Sequence, residues 1–110
     1  MIRYLKSAAY LQLVSESSLP GTIESRVSQL AQNGEVNQIK FFLQDQSIAE
    51  VNNRTLKVRL CDVLSRMKQL DKNLEHPNDA NTFLLNFEKL TGKPFQKPAW
   101  LSSEMRKIDV

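Results

Sequence analysis

The chain of 110 residues has a single cysteine, Cys61, so no disulfide can close within it and packing must supply its stability. Such scarcity fits a reducing, intracellular setting, cytoplasmic rather than organellar. Histidine is equally rare. His76 stands alone, before a proline at a helix end, where the helix dipole favours a cation. With no second histidine, no cysteine cluster and acids scattered singly, the chain offers no metal set. No base stands against a nucleophile, and no two carboxylates are paired for acid–base work. The three glycines, Gly21, Gly34 and Gly92, each fall at a helix boundary, and none builds a phosphate cradle. The expectation is a non-enzymatic protein without a cofactor.

Long apolar runs are missing as well. No stretch approaches the roughly 18 residues of a membrane span. Residues 1–15 carry Arg3 and Lys6 and no acid precedes Glu16, a composition shared with organelle-targeting segments. Lys6 and Gln12 interrupt its apolar character, so a first bundle helix is preferred over an imported accessory subunit. Excess charge is small: 15 bases against 12 acids leave +3, with a pI near 9.2. That balance suits an acidic protein or nucleic-acid partner without requiring one. Asn53-Arg54-Thr55 matches the glycosylation sequon, which has meaning only in a secreted chain.

What the sequence does hold is helical periodicity. Leu56, Leu60, Val63, Met67, Leu70 and Leu74 follow at intervals of 4, 3, 4, 3 and 4, so they share one helix face. Val58 and Cys61 lie off that seam and make the first half apolar on nearly every side. A helix apolar all round is enclosed by others, so this one is expected at the centre, with Cys61 a small buried hydrophobe.

Around it the punctuation marks further helices. The first runs from about Ile2 to Val14 and ends in the turn chemistry of Ser15 to Gly21. A second starts with Thr22 as N-cap, turns Ile23, Val27, Leu30 and Ala31 inward, and stops at Asn33-Gly34. The third spans about Glu35 to Gln44, with Val36, Ile39, Phe42 and Leu43 inward and Phe41 on the opposite side. Asp45-Gln46-Ser47 looks like a break, and the capping-box spacing of Ser47 and Glu50 predicts a separate short helix to Val51. Ala80, Phe83, Leu84, Phe87 and Leu90 give a fifth, closed by Gly92 and Pro94. Residues 93–110 form a proline-punctuated tail in which Ser102 opens a short last turn. Phe95 and Trp100 are too apolar to leave in water, so the tail folds back on the bundle. The fold class is all-α: a single-domain bundle of about five helices around a central helix near residues 55–75.

Two segments resemble known motifs. Leu30 to Leu43 is similar to the helix-turn-helix of an ankyrin repeat, though it lacks the Thr-Pro-Leu-His opening and a copy 33 residues away; a generic antiparallel helix pair follows from it. Ser47 to Leu60 resembles a DNA-reading helix-turn-helix, with a connection about three residues shorter than usual and no turn glycine. That resemblance implies Arg54, Thr55, Lys57, Arg59 and Arg66 as nucleic-acid contacts.

The preferred function is therefore a helical module that binds another macromolecule, most of all a protein, as adaptor, accessory subunit or regulator. Phe41, Val58, Phe95, Trp100 and Leu101 are the candidate contacts for that partner. The seam, under three heptads long, could also serve a homodimer. A small basic DNA-binding regulator is the alternative.

Overall fold

The computed structural model describes residues 2–73 and 80–108, apart from the side chains of residues 2–4, 73, 80 and 104–108. The seam's end at Leu74, the helix-end role of His76 and the positions of Met105 and Ile108 lie outside these descriptions. The described residues form six helices and no strand: α1 (Ile2–Glu16), α2 (Gly21–Gln32), α3 (Val36–Ala49), α4 (Arg54–Asn73), α5 (Ala80–Thr91) and α6 (Ala99–Ile108). The sixth comes from the tail, which holds a helix starting at Ala99 rather than a turn capped by Ser102. Leu101 N–H donates to the Pro98 carbonyl at 3.1 Å, so the helix winds directly from the proline.

The α4 seam is buried as its spacing predicts: Leu56 is 8% exposed, and Leu60, Val63, Met67 and Leu70 are fully covered. Asn53 starts this helix by accepting the Leu56 N–H on Oδ1 at 3.1 Å, the N-cap geometry favoured by short polar side chains. Its other faces depart from expectation. Val58 is 63% exposed and Cys61 is exposed too, so α4 buries one stripe rather than its whole circumference.

The helix enclosed on most sides is α1, which packs against each of the other five. Leu5, Ser7, Ala8, Ala9, Tyr10, Leu13 and Val14 are all buried. The small Ser7, Ala8 and Ala9 let neighbouring helices approach closely, while Tyr10 and Leu13 fill the space beyond. α1 ends at Ser17, whose Oγ donates to the Leu13 carbonyl at 2.6 Å, and Ser18 turns the chain with φ 54°.

The helix α2 starts one residue earlier than the expected Thr22 cap. Pro20 occupies the N-cap, and its carbonyl accepts from Ile23 and Glu24 N–H, both at 3.0 Å. Its inner face is Ile23, Val27, Leu30 and Ala31, as the spacing predicts. Gly34, at φ 71°, closes it in the Schellman manner: Glu35 N–H reaches the Leu30 carbonyl and Gly34 N–H the Ala31 carbonyl, both at 3.0 Å.

The predicted break at Asp45-Gln46-Ser47 does not occur. α3 runs unbroken to Ala49, and Ser47 is buried against α4, its Oγ 3.4 Å from Cys61 Sγ. The weak helix formers Asp45 and Ser47 do not break the helix, because Ser47 packs against α4, and the separate Ser47–Val51 helix is absent.

Phe83 and Phe87 on α5 are buried, and Phe95 meets both edge-on, with ring centroids 5.6 and 5.2 Å away. The tail thus folds back as predicted. Gln12 on α1 holds it there through main-chain groups, accepting from Gln96 N–H at 2.9 Å and donating to the Pro94 carbonyl at 3.3 Å. Leu101 is fully buried, and Trp100 lies half-buried against the core.

Candidate functional site

The helices α3 and α4 form an antiparallel hairpin. Ser47 lies opposite Cys61, and seven residues earlier on α3 Lys40 Nζ meets Asp71 Oδ2 at 2.7 Å, ten residues later on α4. Contact therefore runs along both helices for two turns or more. A DNA-reading helix-turn-helix needs two helices crossing at a steep angle, with the second free to enter a groove. Here α3 and α4 lie along one another instead of crossing steeply.

The proposed base-reading residues are accordingly dispersed. At about 100° per residue, Lys57 and Arg59 fall on opposite sides of α4, with Arg54 near the first and Thr55 and Arg66 near the second. Arg59 Nη1 donates to the Ser18 carbonyl at 3.3 Å, and Arg66 Nε pairs with Asp62 at 3.1 Å. Both arginines line a cleft of about 420 Å³ with Asp62, Glu16, Thr91 and Lys93, in which acids offset the bases. The i, i+4 pairing of Asp62 with Arg66 was legible from spacing. Arg59 reaching Ser18 rather than Asp62 was not.

The other side of α4 carries the apolar exposure. Phe41 and Ile48, two turns apart on α3, are 58% and 63% exposed. Between them and α4 runs a groove of about 450 Å³, floored by Cys61, Leu64 and Ser47 and edged by Asn37, Gln44, Lys40 and Lys68. Leu64 packs partly on the core and connects the groove to it. Phe41, expected opposite the inner face of α3, stands on that side more than half exposed. Of the five partner-contact candidates, Phe41 lines the groove and Val58 stands exposed one turn from Cys61 on α4. Phe95, Trp100 and Leu101 are used by the fold itself. Ile48, Cys61 and Leu64 are the groove's apolar residues and its thiol that sequence reasoning did not offer as contacts. The spacing of Phe41 to Ile48, one heptad, was the available signal for Ile48.

Behind the groove lies a charged cluster that joins three helices. Asp71 on α4 accepts from Tyr10 Oη and Lys6 Nζ of α1, the latter at 3.1 Å, and from Lys40 Nζ of α3. Burial alone would raise the Asp71 carboxyl, but hydrogen bonds from Lys40, Tyr10 and Lys6 outweigh it and hold it below the usual carboxylate range. Burial, then the hydrogen bond and negative charge of Asp71, push the Tyr10 phenol well above its ordinary value. Asp71 stays ionised and Tyr10 protonated through neutral pH, so this pair is a tie rather than a proton-transfer couple. Its sequence signal was faint: Asp71 stands four residues after Met67, an acid on the edge of the apolar seam. Its partners, 31 and 61 residues away, carry no local sign of it.

Among the described residues no three His, Cys, Asp or Glu side chains come together to hold a metal, and no helix is long and apolar enough to cross a membrane. Compared with known proteins, the chain matches no family model, no curated sequence and no solved structure.

Proposed function

We propose that the protein is a non-enzymatic helical module that binds another protein, with the groove between α3 and α4 as its seat. The observation that carries this reading is the placement of Phe41 and Ile48. Both are large, apolar and more than half exposed, and both border the same groove. Exposed apolar residues scattered singly need no explanation, whereas a cluster on one concave surface marks a contact site. The rest of the fold supports it: neither Phe41 nor Ile48 belongs to the buried core or to the hydrophobics packed against it. The packing of α3 along α4 supports a protein partner over duplex DNA reading by α4. Cleaving α1 as a processed leader would take out the helix on which all others rest, which speaks against import with loss of residues 1–15.

The test compares wild type with Phe41→Ser/Ile48→Ser. Because both side chains are exposed, the double variant should unfold within about 0.5 kcal/mol of wild type. Proteins retained from native extract by wild type, shifted with it on a sizing column and lost with the variant, are the expected result. An identical set retained by both would refute the groove as the seat. Capture of duplex DNA instead, weakening steeply with salt, would replace this reading by a nucleic-acid one.

A further inference from the structure

Resting on that reading, we infer that the groove's occupant is an acidic amphipathic helix of another protein. The inference comes from how charge is distributed around the apolar patch. At about 100° per residue, Arg54, Lys57, Lys68 and Lys72 lie within about 60° of one another around α4, on the side facing the groove. All four are exposed, and none makes an ion pair among the described residues. They stand in two pairs, before and after the segment carrying Val58, Cys61 and Leu64. The patch is thus apolar in its middle and basic at both ends.

Among the described residues no carboxylate lines the groove. Asp62 lies about 100° around α4 from Cys61, and Asp45, about 40° from Phe41 and 60° from Ile48 around α3, is an exposed acid beside the middle of the patch rather than at its basic ends. Asp71 is already satisfied by Lys40, Lys6 and Tyr10. The basic ends therefore meet an incoming segment with no carboxylate among the groove's lining residues to offset them. They favour a partner with acids at matching places and penalise one with bases there.

The apolar spacing sets the form of the occupant. Phe41 and Ile48 are seven residues apart, about 10 Å along the helix axis at 1.5 Å per residue. A helix laid in the groove presents apolar anchors at i, i+4 and i+7 over the same length. An extended strand would instead seek a sheet edge, which the described residues do not have. The apolar lining of Phe41, Ile48 and Leu64 also favours apolar side chains of a peptide over a nucleic-acid backbone, which has none to place there.

Cys61 makes the test direct. It is the chain's only cysteine, it is exposed, and it lies in the groove floor. A synthetic helical peptide with leucines at i, i+4 and i+7 and glutamates at both ends is titrated against the full chain. The rate of Cys61 with Ellman's reagent is followed, and peptide anisotropy gives the affinity. At a peptide concentration ten times Kd, thiol reaction should slow by about tenfold. A twin peptide with lysines for the glutamates should leave the rate unchanged. Lys57→Glu/Lys68→Glu should reverse the preference, so that the lysine peptide protects Cys61 and the acidic one does not; this gain shows that the variant is folded. Equal protection by both peptides would overturn the acidic preference while leaving the groove a docking site. Protection by anionic vesicles and not by the acidic peptide would overturn it in favour of a membrane surface. Protection by neither, together with extract binding that ignores Phe41→Ser/Ile48→Ser, would remove both the inference and the reading beneath it.

Discussion

Replacing Asp71 by Ala gives a sharp test of how α1, α3 and α4 are held together. Its carboxylate is the acceptor for the buried Tyr10 hydroxyl, and the Ala variant leaves that hydroxyl without its partner, a loss of about 1–3 kcal/mol. Lys6 and Lys40 contribute less, because their side chains are 26% and 33% exposed and can return to water. A net cost of about 2 kcal/mol follows. Tyr10→Phe removes only the donor and leaves Asp71 with both lysines, at about 1 kcal/mol. In the double variant no hydroxyl remains to be stranded, so it should cost less than Asp71→Ala alone, a coupling of more than about 1 kcal/mol. The gain in helix propensity from Ala enters both arms of the cycle and cancels. Urea unfolding followed by circular dichroism measures all four proteins. Additive losses would refute the shared contact.

The same cluster fixes the pH response. The Asp71 carboxyl is depressed in the folded chain, so its contribution is fully present above the unfolded value near 4 and is lost as pH falls through the folded value. Tyr10 is raised, so its contribution is fully present below the unfolded value near 10 and is lost as pH climbs above it. Wild type should therefore lose stability below about pH 4 more steeply than Asp71→Ala, and above about pH 10 more steeply than Tyr10→Phe. Parallel curves would count against the assignment.

Backbone and tail give three further expectations. Gly92, at φ 73° with open space where a Cβ would stand, should cost about 1 kcal/mol when changed to Ala, from strain alone; Gly21→Ala, at the start of α2 and equally unobstructed, should stabilise by about 0.5 kcal/mol. Thermal melts that moved both variants the same way would contradict this. The Trp100 Nε1 is buried without a hydrogen-bond partner, so Trp100→Phe should stay within about 1 kcal/mol of wild type whereas Trp100→Ala costs about 3. Phe95→Ala, losing two edge-on ring contacts, should cost about 2 kcal/mol, and limited proteolysis should then cut first between residues 92 and 98.

Much of this architecture was legible from spacing. The α4 seam and the α2 inner face are patterns of three and four residues, and the glycine stops at Gly34 and Gly92 follow from the positive φ that only glycine adopts without strain. What failed to show was whatever depends on distant partners. Ser47 signalled a new helix because its hydroxyl is a good local cap; in the folded chain that hydroxyl is spent on α4, and α3 continues. Val58 and Cys61 are apolar without being core, because α3 packs against one flank of α4 and meets Cys61 only at the edge of that contact, through Ser47. The central place of α1 was hidden by its alanines and serine, which add little to an apolar count yet permit the closest packing. For the groove, Phe41 was visible as an apolar residue facing the wrong way. The basic pairs at its ends were not grouped, since Arg54 and Lys57 were read as DNA contacts and Lys68 and Lys72 passed unremarked.

The burial of α1 against α5 and α6 has a consequence for the protein's manufacture. Those helices follow α1 in the chain, so α1 leaves the ribosome before these two mates have been made. Until then Leu5, Leu13 and Val14 remain uncovered by their final neighbours, and nascent chains stalled before residue 99 should be prime clients for chaperones that grip greasy peptides.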